Sequence, residues 1–176
     1  MCGIVGYIGH REAYPIITKG LHRLEYRGYD SAGIALYDGE QINLSKTPGK
    51  VSDLEQRAEQ EISLKGQLGI GHTRWATHGE PNLCNAHPHF SNSGDLVIIH
   101  NGIIENYESI RTALSKRGYT FQSDTDTEVL VNLIEEVKNK EGVKLGKAVQ
   151  IALNQVVGAF AIAVFDRTKP DEIVVA

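Results

Sequence analysis

The 176-residue sequence is poor in cysteine, with only Cys2 and Cys84, and has a single tryptophan, Trp75. Two thiols cannot build a disulfide framework, so a reducing, cytoplasmic setting is the expectation. Long apolar runs are missing too: no stretch approaches the roughly 20 residues that cross a bilayer as a helix. The opening Met1-Cys2-Gly3-Ile4-Val5-Gly6 lacks the basic start and apolar core of a secretory signal. Positive charge is not in excess, with 18 Lys plus Arg against 22 Asp plus Glu, a formal net charge of −4. With no basic run either, nucleic acid and membrane are not expected partners. Internal repeats and low-complexity tracts are absent. What remains is an ordinary globular composition, 41% hydrophobic and 23% charged, in a length suited to one domain with a real core.

Short apolar segments predict strands at Ile4–Ile8, Gly33–Tyr37, Gln41–Ser45, Gly69–Thr73, Leu96–His100, Gly158–Asp166 and Glu172–Ala176. The last is short and apolar enough to be buried on both faces. Asp38-Gly39 reads as a two-residue turn joining the second and third. Helical spacing starts near Glu12, with Ile16, Ile17, Gly20, Leu21 and Leu24 on one face. Further helices are expected at Tyr107–Arg117, stopped by Gly118, at Asp126 to about Lys138, and over roughly Leu145–Gln155. Thr125 and Glu128 have the spacing of a capping box; Val129, Leu130, Leu133, Ile134 and Val137 should face inward. Strands and helices cluster rather than alternate, which favours a layered α+β fold over a doubly wound sheet. The polar stretch Ala76–Asp95 reads as a long loop, and loops of that length are usually functional or disordered. The sequence stops inside its last expected strand, as a piece of something longer would.

Two patterns invite chemistry and do not carry it. His72, His78, His87 and His89 match no zinc spacing and read as scattered loop histidines, so no metal is expected. Gly3, Gly6 and Gly9 miss the dinucleotide fingerprint. Cys2 is different if Met1 is trimmed, as it normally is before a small residue. Its α-amino group then titrates near about 7.7–8.0 and can accept the proton of a thiol whose free pKa is about 8.5. Nucleophile and base would belong to one residue. Alone, a cysteine at this position is more often a small buried residue leading into a strand.

The opening six residues resemble the start of the class II glutamine amidotransferases, which are N-terminal nucleophile hydrolases. Leu24–Gly33 (LEYRGYDSAG), Gly71–Gly79 (GHTRWATHG), His100–Asn106 (HNGIIEN) and Ser123–Glu128 (SDTDTE) extend the likeness in order. Within the class they resemble the branch that passes ammonia to fructose 6-phosphate and makes glucosamine 6-phosphate. Members of the purine pathway carry His-Arg-Gly-Gln-Asp where this chain has Tyr26–Asp30, and lack the Arg74–His78 string. The resemblance implies a four-layer αββα sandwich, with residues 1–176 a glutaminase domain incomplete at its C-terminal end. It implies L-glutamine as substrate and no metal or organic cofactor. The sugar isomerase domain would lie elsewhere on the same polypeptide, which would be a homo-oligomer at full length. The isomerising transaminase activity would then be represented here by its glutamine-hydrolysing half-reaction alone.

By the same resemblance Cys2 is the nucleophile, and the Asn101 side chain with the Gly102 N–H forms an oxyanion hole, against the alternative of an Asn-Gly turn. Arg74 would clamp the substrate α-carboxylate, with Thr77 and His78 adding contacts, against a surface ion pair. Trp75 would close over the site, or else pack in the core. Asp126 would take the α-ammonium, or simply favour a helix start. Arg27 and Gly28, expected in a loop after the first helix, would order the terminal residue or bind the amide end. Cys84 reads as a bystander. Two rivals stay open: a related hydrolase of another amide, and a non-catalytic module that keeps the fold.

Overall fold

The structure is a computed structural model that describes residues 2–75 and 80–176. Thr77 and His78 lie outside the described residues, so the expectations placed on them go no further than the sequence.

Two antiparallel sheets form the centre. The first contains β1 (Gly3–Ile8), β2 (Ser31–Tyr37), β3 (Ile42–Pro48) and β4 (Leu68–Arg74) in the order β1-β4-β2-β3. The second contains β5 (His89–Phe90), β6 (Leu96–Ile104), β7 (Gly158–Asp166) and β8 (Val174–Val175), in chain order. Helices α1 (Ala13–Leu24) and α2 (Val51–Glu61) accompany the first sheet; α3 (Tyr107–Ser115), α4 (Asp126–Glu141) and α5 (Leu145–Leu153) accompany the second.

Strand alternation sorts the apolar residues into three layers. In β2, Ala32, Ile34 and Leu36 point to Ile17 and Leu21 of α1 and Leu54 of α2. Ala35 points the other way, toward Val97 and Ile99 of β6 and Phe165 of β7, and this layer glues sheet to sheet. Leu96 and Ile98 of β6 face outward onto Leu130 and Ile134 of α4. Helix, sheet, sheet, helix is the αββα order that the resemblance implied. The helix seats closely on the first sheet because β4 offers glycine there: a Cβ on Gly71 would lie 2.4 Å from Ile17 Cγ2.

Several expectations need correction. Helix α2 was missed, since only Val51, Leu54 and Ala58 of its residues are buried apolar ones and the rest of its face is charged. The turn after β2 spans four residues, because Tyr37 pairs with Ile42, and Asp38 Oδ1 accepts from the N–H groups of Glu40 and Gln41. Ile16 is only partly buried, on the outer side of α1. Strand β8 is two residues at a sheet edge, with Val175 70% exposed rather than buried on both faces. The Ala76–Asp95 stretch contains β5. Helix α4 buries nearly all of its first three turns, not one face, since it lies against β6, β5, α3 and α5 together.

Candidate active site

Cys2 immediately precedes β1, whose pairing with β4 sets Gly3 opposite Thr73. The Gly3 N–H donates to Thr73 Oγ1 at 3.1 Å and ties the start of the chain to that strand. Where β4 ends, the backbone meets the thiol: the Trp75 N–H donates to Cys2 Sγ at 3.1 Å, and Sγ lies 3.4 Å from the Trp75 carbonyl oxygen. Cys2 itself is half-buried and unbridged.

Asn101 and Gly102 lie inside β6, paired with Ala161 and Phe160 of β7, so they are not a turn. Gly102 has φ +122°, and a Cβ there would fall 2.1 Å from the Ala159 carbonyl oxygen, so only glycine fits. Asn101 continues the sheet-to-sheet face of Val97 and Ile99. Its Nδ2 donates to the Cys2 carbonyl oxygen at 3.2 Å, and its Oδ1 lies 2.7 Å from His72 Nε2.

A small cavity is lined by Cys2, His72, Arg74, Trp75, His87, His100, Gly102, Thr125, Asp126 and Thr127. Arg74 is 3% exposed, which rules out the surface ion pair; its Nη1 lies 4.0 Å from Asp30 Oδ1. Burial pulls the guanidinium below its ordinary pKa, while Asp30, Cys2 and Asp126 hold it up. Asp126, also buried, accepts the Ile104 N–H on Oδ2 at 2.9 Å. The cap of α4 is made without it, by Thr125 Oγ1 accepting from the Glu128 N–H at 3.3 Å. The Glu128 carboxylate reaches beyond the usual box partner to the Ser123 N–H at 2.7 Å.

Trp75 is 55% exposed, so it is not a core residue. Its ring sits against Gly28, where a Cβ would lie 2.8 Å from Trp75 Cε3. Gly28 is thus a seat for the tryptophan. Arg27 belongs to a single 3-10 turn, Glu25–Arg27, rather than to a loop, and lines a neighbouring cleft with Cys2 and Asn101.

The histidines are the main correction. His72 in β4, His89 in β5 and His87 in the loop before it are all buried rather than scattered, and His100 joins them. The rings of His72 and His87 stand 4.5 Å apart, and those of His87 and His89 4.9 Å. Burial pushes the His72 pKa down to about 4 and those of His87 and His89 well below the usual value, so all three are neutral at pH 7. Thr127 Oγ1 lies 2.7 Å from His87 Nε2 and 2.9 Å from His100 Nδ1, and Thr125 Oγ1 lies 3.1 Å from His89 Nε2. Sequence reasoning missed His72, His100 and Thr127 at the site. The signal available was alternation, since His72 and His100 each prolong an apolar strand pattern in which a polar residue has to be buried.

A roomier cavity, ≈ 540 Å³, is lined by Lys46, Cys84, Phe90 and Glu128 among others, and does not include Cys2. Its size is not a reason to prefer it. The Cys84 thiol donates to the Gln122 carbonyl oxygen at 3.0 Å, and Lys46 Nζ to that of Ala86 at 2.7 Å, so both serve local backbone. Among the described residues no three His, Cys, Asp or Glu side chains group closely enough to hold a metal ion. No helix among them is long and apolar enough to cross a membrane.

Comparison with known proteins converges on one family. The profile described as "Glutamine amidotransferase domain" matches residues 58–176. The glutamine–fructose-6-phosphate aminotransferase [isomerizing] of Bacteroides thetaiotaomicron is 60% identical over 100% of this chain, and that of Chlorobaculum tepidum 52% identical, also over 100%. The chain spans 29% of the length of each. Among solved structures, the glutamine phosphoribosylpyrophosphate amidotransferase of B. subtilis, complexed with ADP and GMP, superposes with TM-score 0.81 at 31% identity. A structure described as the allosteric regulatory enzyme of purine biosynthesis gives 0.83 at 34%. Each alignment covers 98% of this chain and 36% of the other. The αββα layers, the cysteine at residue 2 and the match over most of the sequence agree: the chain belongs to the glutamine amidotransferase domain family.

Proposed function

We propose that this domain hydrolyses the side-chain amide of L-glutamine through a thioester on Cys2. The observation that carries the reading is one cavity holding Cys2 together with a buried arginine, Arg74, and a buried aspartate, Asp126. A buried cation and a buried anion near a nucleophile suit the α-carboxylate and α-ammonium of an amino acid, and a guanidinium fork matches a carboxylate.

With Met1 removed, the α-amine of Cys2 takes the thiol proton, directly or through a water, and sulfur attacks the amide carbon. Negative charge on the amide oxygen is met by Asn101 Nδ2 and the Gly102 N–H, and such donors are worth about 2.7–4 kcal/mol of barrier each in well-studied hydrolases. The C–N bond breaks, the proton goes to the leaving nitrogen, and ammonia departs. Water then cleaves the thioester, which restores the thiol and releases glutamate. Arg27 orders the terminal residue, and Trp75 covers the site from the solvent side.

In the longer protein we place the ammonia on fructose 6-phosphate, through an isomerase domain of the same polypeptide, in a cytoplasmic homo-oligomer. The identity to the glucosamine-forming relatives, well above that to the purine enzymes, supports this branch. No nucleic acid, membrane or cofactor enters the reading.

Treatment with an electrophilic glutamine analogue followed by peptide mass spectrometry tests it. A single adduct on Cys2, with Met1 absent, is expected. Labelling at Cys84, or full activity with Met1 retained, overturns the mechanism. Turnover of glutamine and its decarboxylated analogue at equal rates would favour another amide substrate instead.

A further inference from the structure

His72 is wholly buried on β4, on the same face as Leu68 and Ile70. Its side-chain partner is Asn101, Oδ1 to Nε2 at 2.7 Å, and the His100 backbone also interacts with the ring. The Cys2 carbonyl oxygen can only accept, so the Asn101 atom 3.2 Å from it is the donor, Nδ2. The Asn101 atom facing His72 is therefore Oδ1, which also only accepts. His72 is neutral in this environment and carries one ring proton, and donation to Asn101 Oδ1 requires that proton on Nε2.

We propose that His72 is a positioning residue: its Nε2–H holds Asn101 Oδ1, and so keeps Nδ2 on the Cys2 side. An asparagine amide is nearly symmetric in shape, and packing alone sets little preference between its two orientations. Flipped, it would direct a lone pair at the Cys2 carbonyl and at the oxygen that gains negative charge. Accepting from His72 also polarises the amide and strengthens its N–H donors. The inference rests on the glutaminase reading above, and it adds a group that acts on the developing oxyanion through Asn101.

Two substitutions separate donation from bulk. In the chain with Met1 removed, His72→Leu keeps much of the side-chain volume and removes the donor, whereas His72→Gln can return an N–H near the position of Nε2. For His72→Leu, kcat for glutamine hydrolysis should fall about 10- to 100-fold with KM little changed, because the lost effect belongs to the developing oxyanion. His72→Gln should recover most of it. Alkylation of Cys2 by iodoacetamide, a direct displacement that forms no oxyanion, should proceed at the wild-type rate in both. Wild-type kcat in His72→Leu overturns the proposal, and so does an equal loss in both variants or a parallel loss of alkylation, each of which marks a structural role. A wild-type chain that fails to hydrolyse glutamine sinks the glutaminase reading instead. Should either variant fail to fold, 15N NMR of the wild-type imidazole decides: the Nε2–H tautomer is required, and the Nδ1–H tautomer refutes the arrangement.

Discussion

Asp126 belongs both to the fold and to the lining of the candidate site. Its Oδ2 accepts the Ile104 N–H, a structural duty, while the buried carboxylate stays in the cavity with Arg74. Asp126→Asn keeps an acceptor for that N–H and removes the charge. The fold should survive, with the thermal midpoint little moved, while KM for glutamine rises about 10- to 100-fold, as for a hydrogen bond to a charged group worth roughly 1.5–3 kcal/mol. An unchanged KM would assign the aspartate to the fold alone. The sequence placed Asp126 in a first helical turn, where the helix dipole already favours it. Only the burial of the carboxylate beside Arg74 separates the two readings.

At the scale of elements, the contact between α1 and β4 is the most sensitive. Gly71 leaves room for Ile17 and Leu21, and a Cβ would meet their side chains at 2.4 Å and 3.0 Å. Gly71→Ala should therefore cost about 1–3 kcal/mol by overpacking and lower Tm by roughly 2–4 °C per kcal/mol, read by thermal denaturation. A wild-type Tm would mean that the helix slides away without strain. Strands β2, β4, β6 and β7 were legible because their apolar runs are continuous or alternate cleanly. Helix α2 was not, because three buried apolar residues among eleven leave a pattern that charge dominates. Strand β6 was read too short, since a strand that carries Asn-Gly looks like a strand followed by a turn until its partner β7 is seen to run alongside.

For the whole molecule, the neutral histidines between and beside the sheets make stability depend on pH. His72 has a folded pKa of about 4 against an ordinary 6.5, and burial is the main cause. Between those values the unfolded chain binds the proton and the folded chain does not. Stability is therefore full above pH 6.5, falls as the pH drops toward 4, and levels below it. His72 alone contributes about 3 kcal/mol to that loss, and His87 and His89 act in the same direction. Urea denaturation at pH 7.5 and pH 5 should show the midpoint moving down at the lower pH; equal midpoints would mean that the cluster is hydrated or pairs with protons when folded. The sequence by itself determined the α+β class, most strands and helices, the cysteine at residue 2 and the motif blocks, because periodicity, caps and short-range spacing are local properties. The tertiary structure decided which residues share a cavity, that Asn101-Gly102 is strand rather than turn, and that His72, His87, His89 and His100 are buried. Those facts depend on strands distant in sequence lying side by side, which pairing and packing impose.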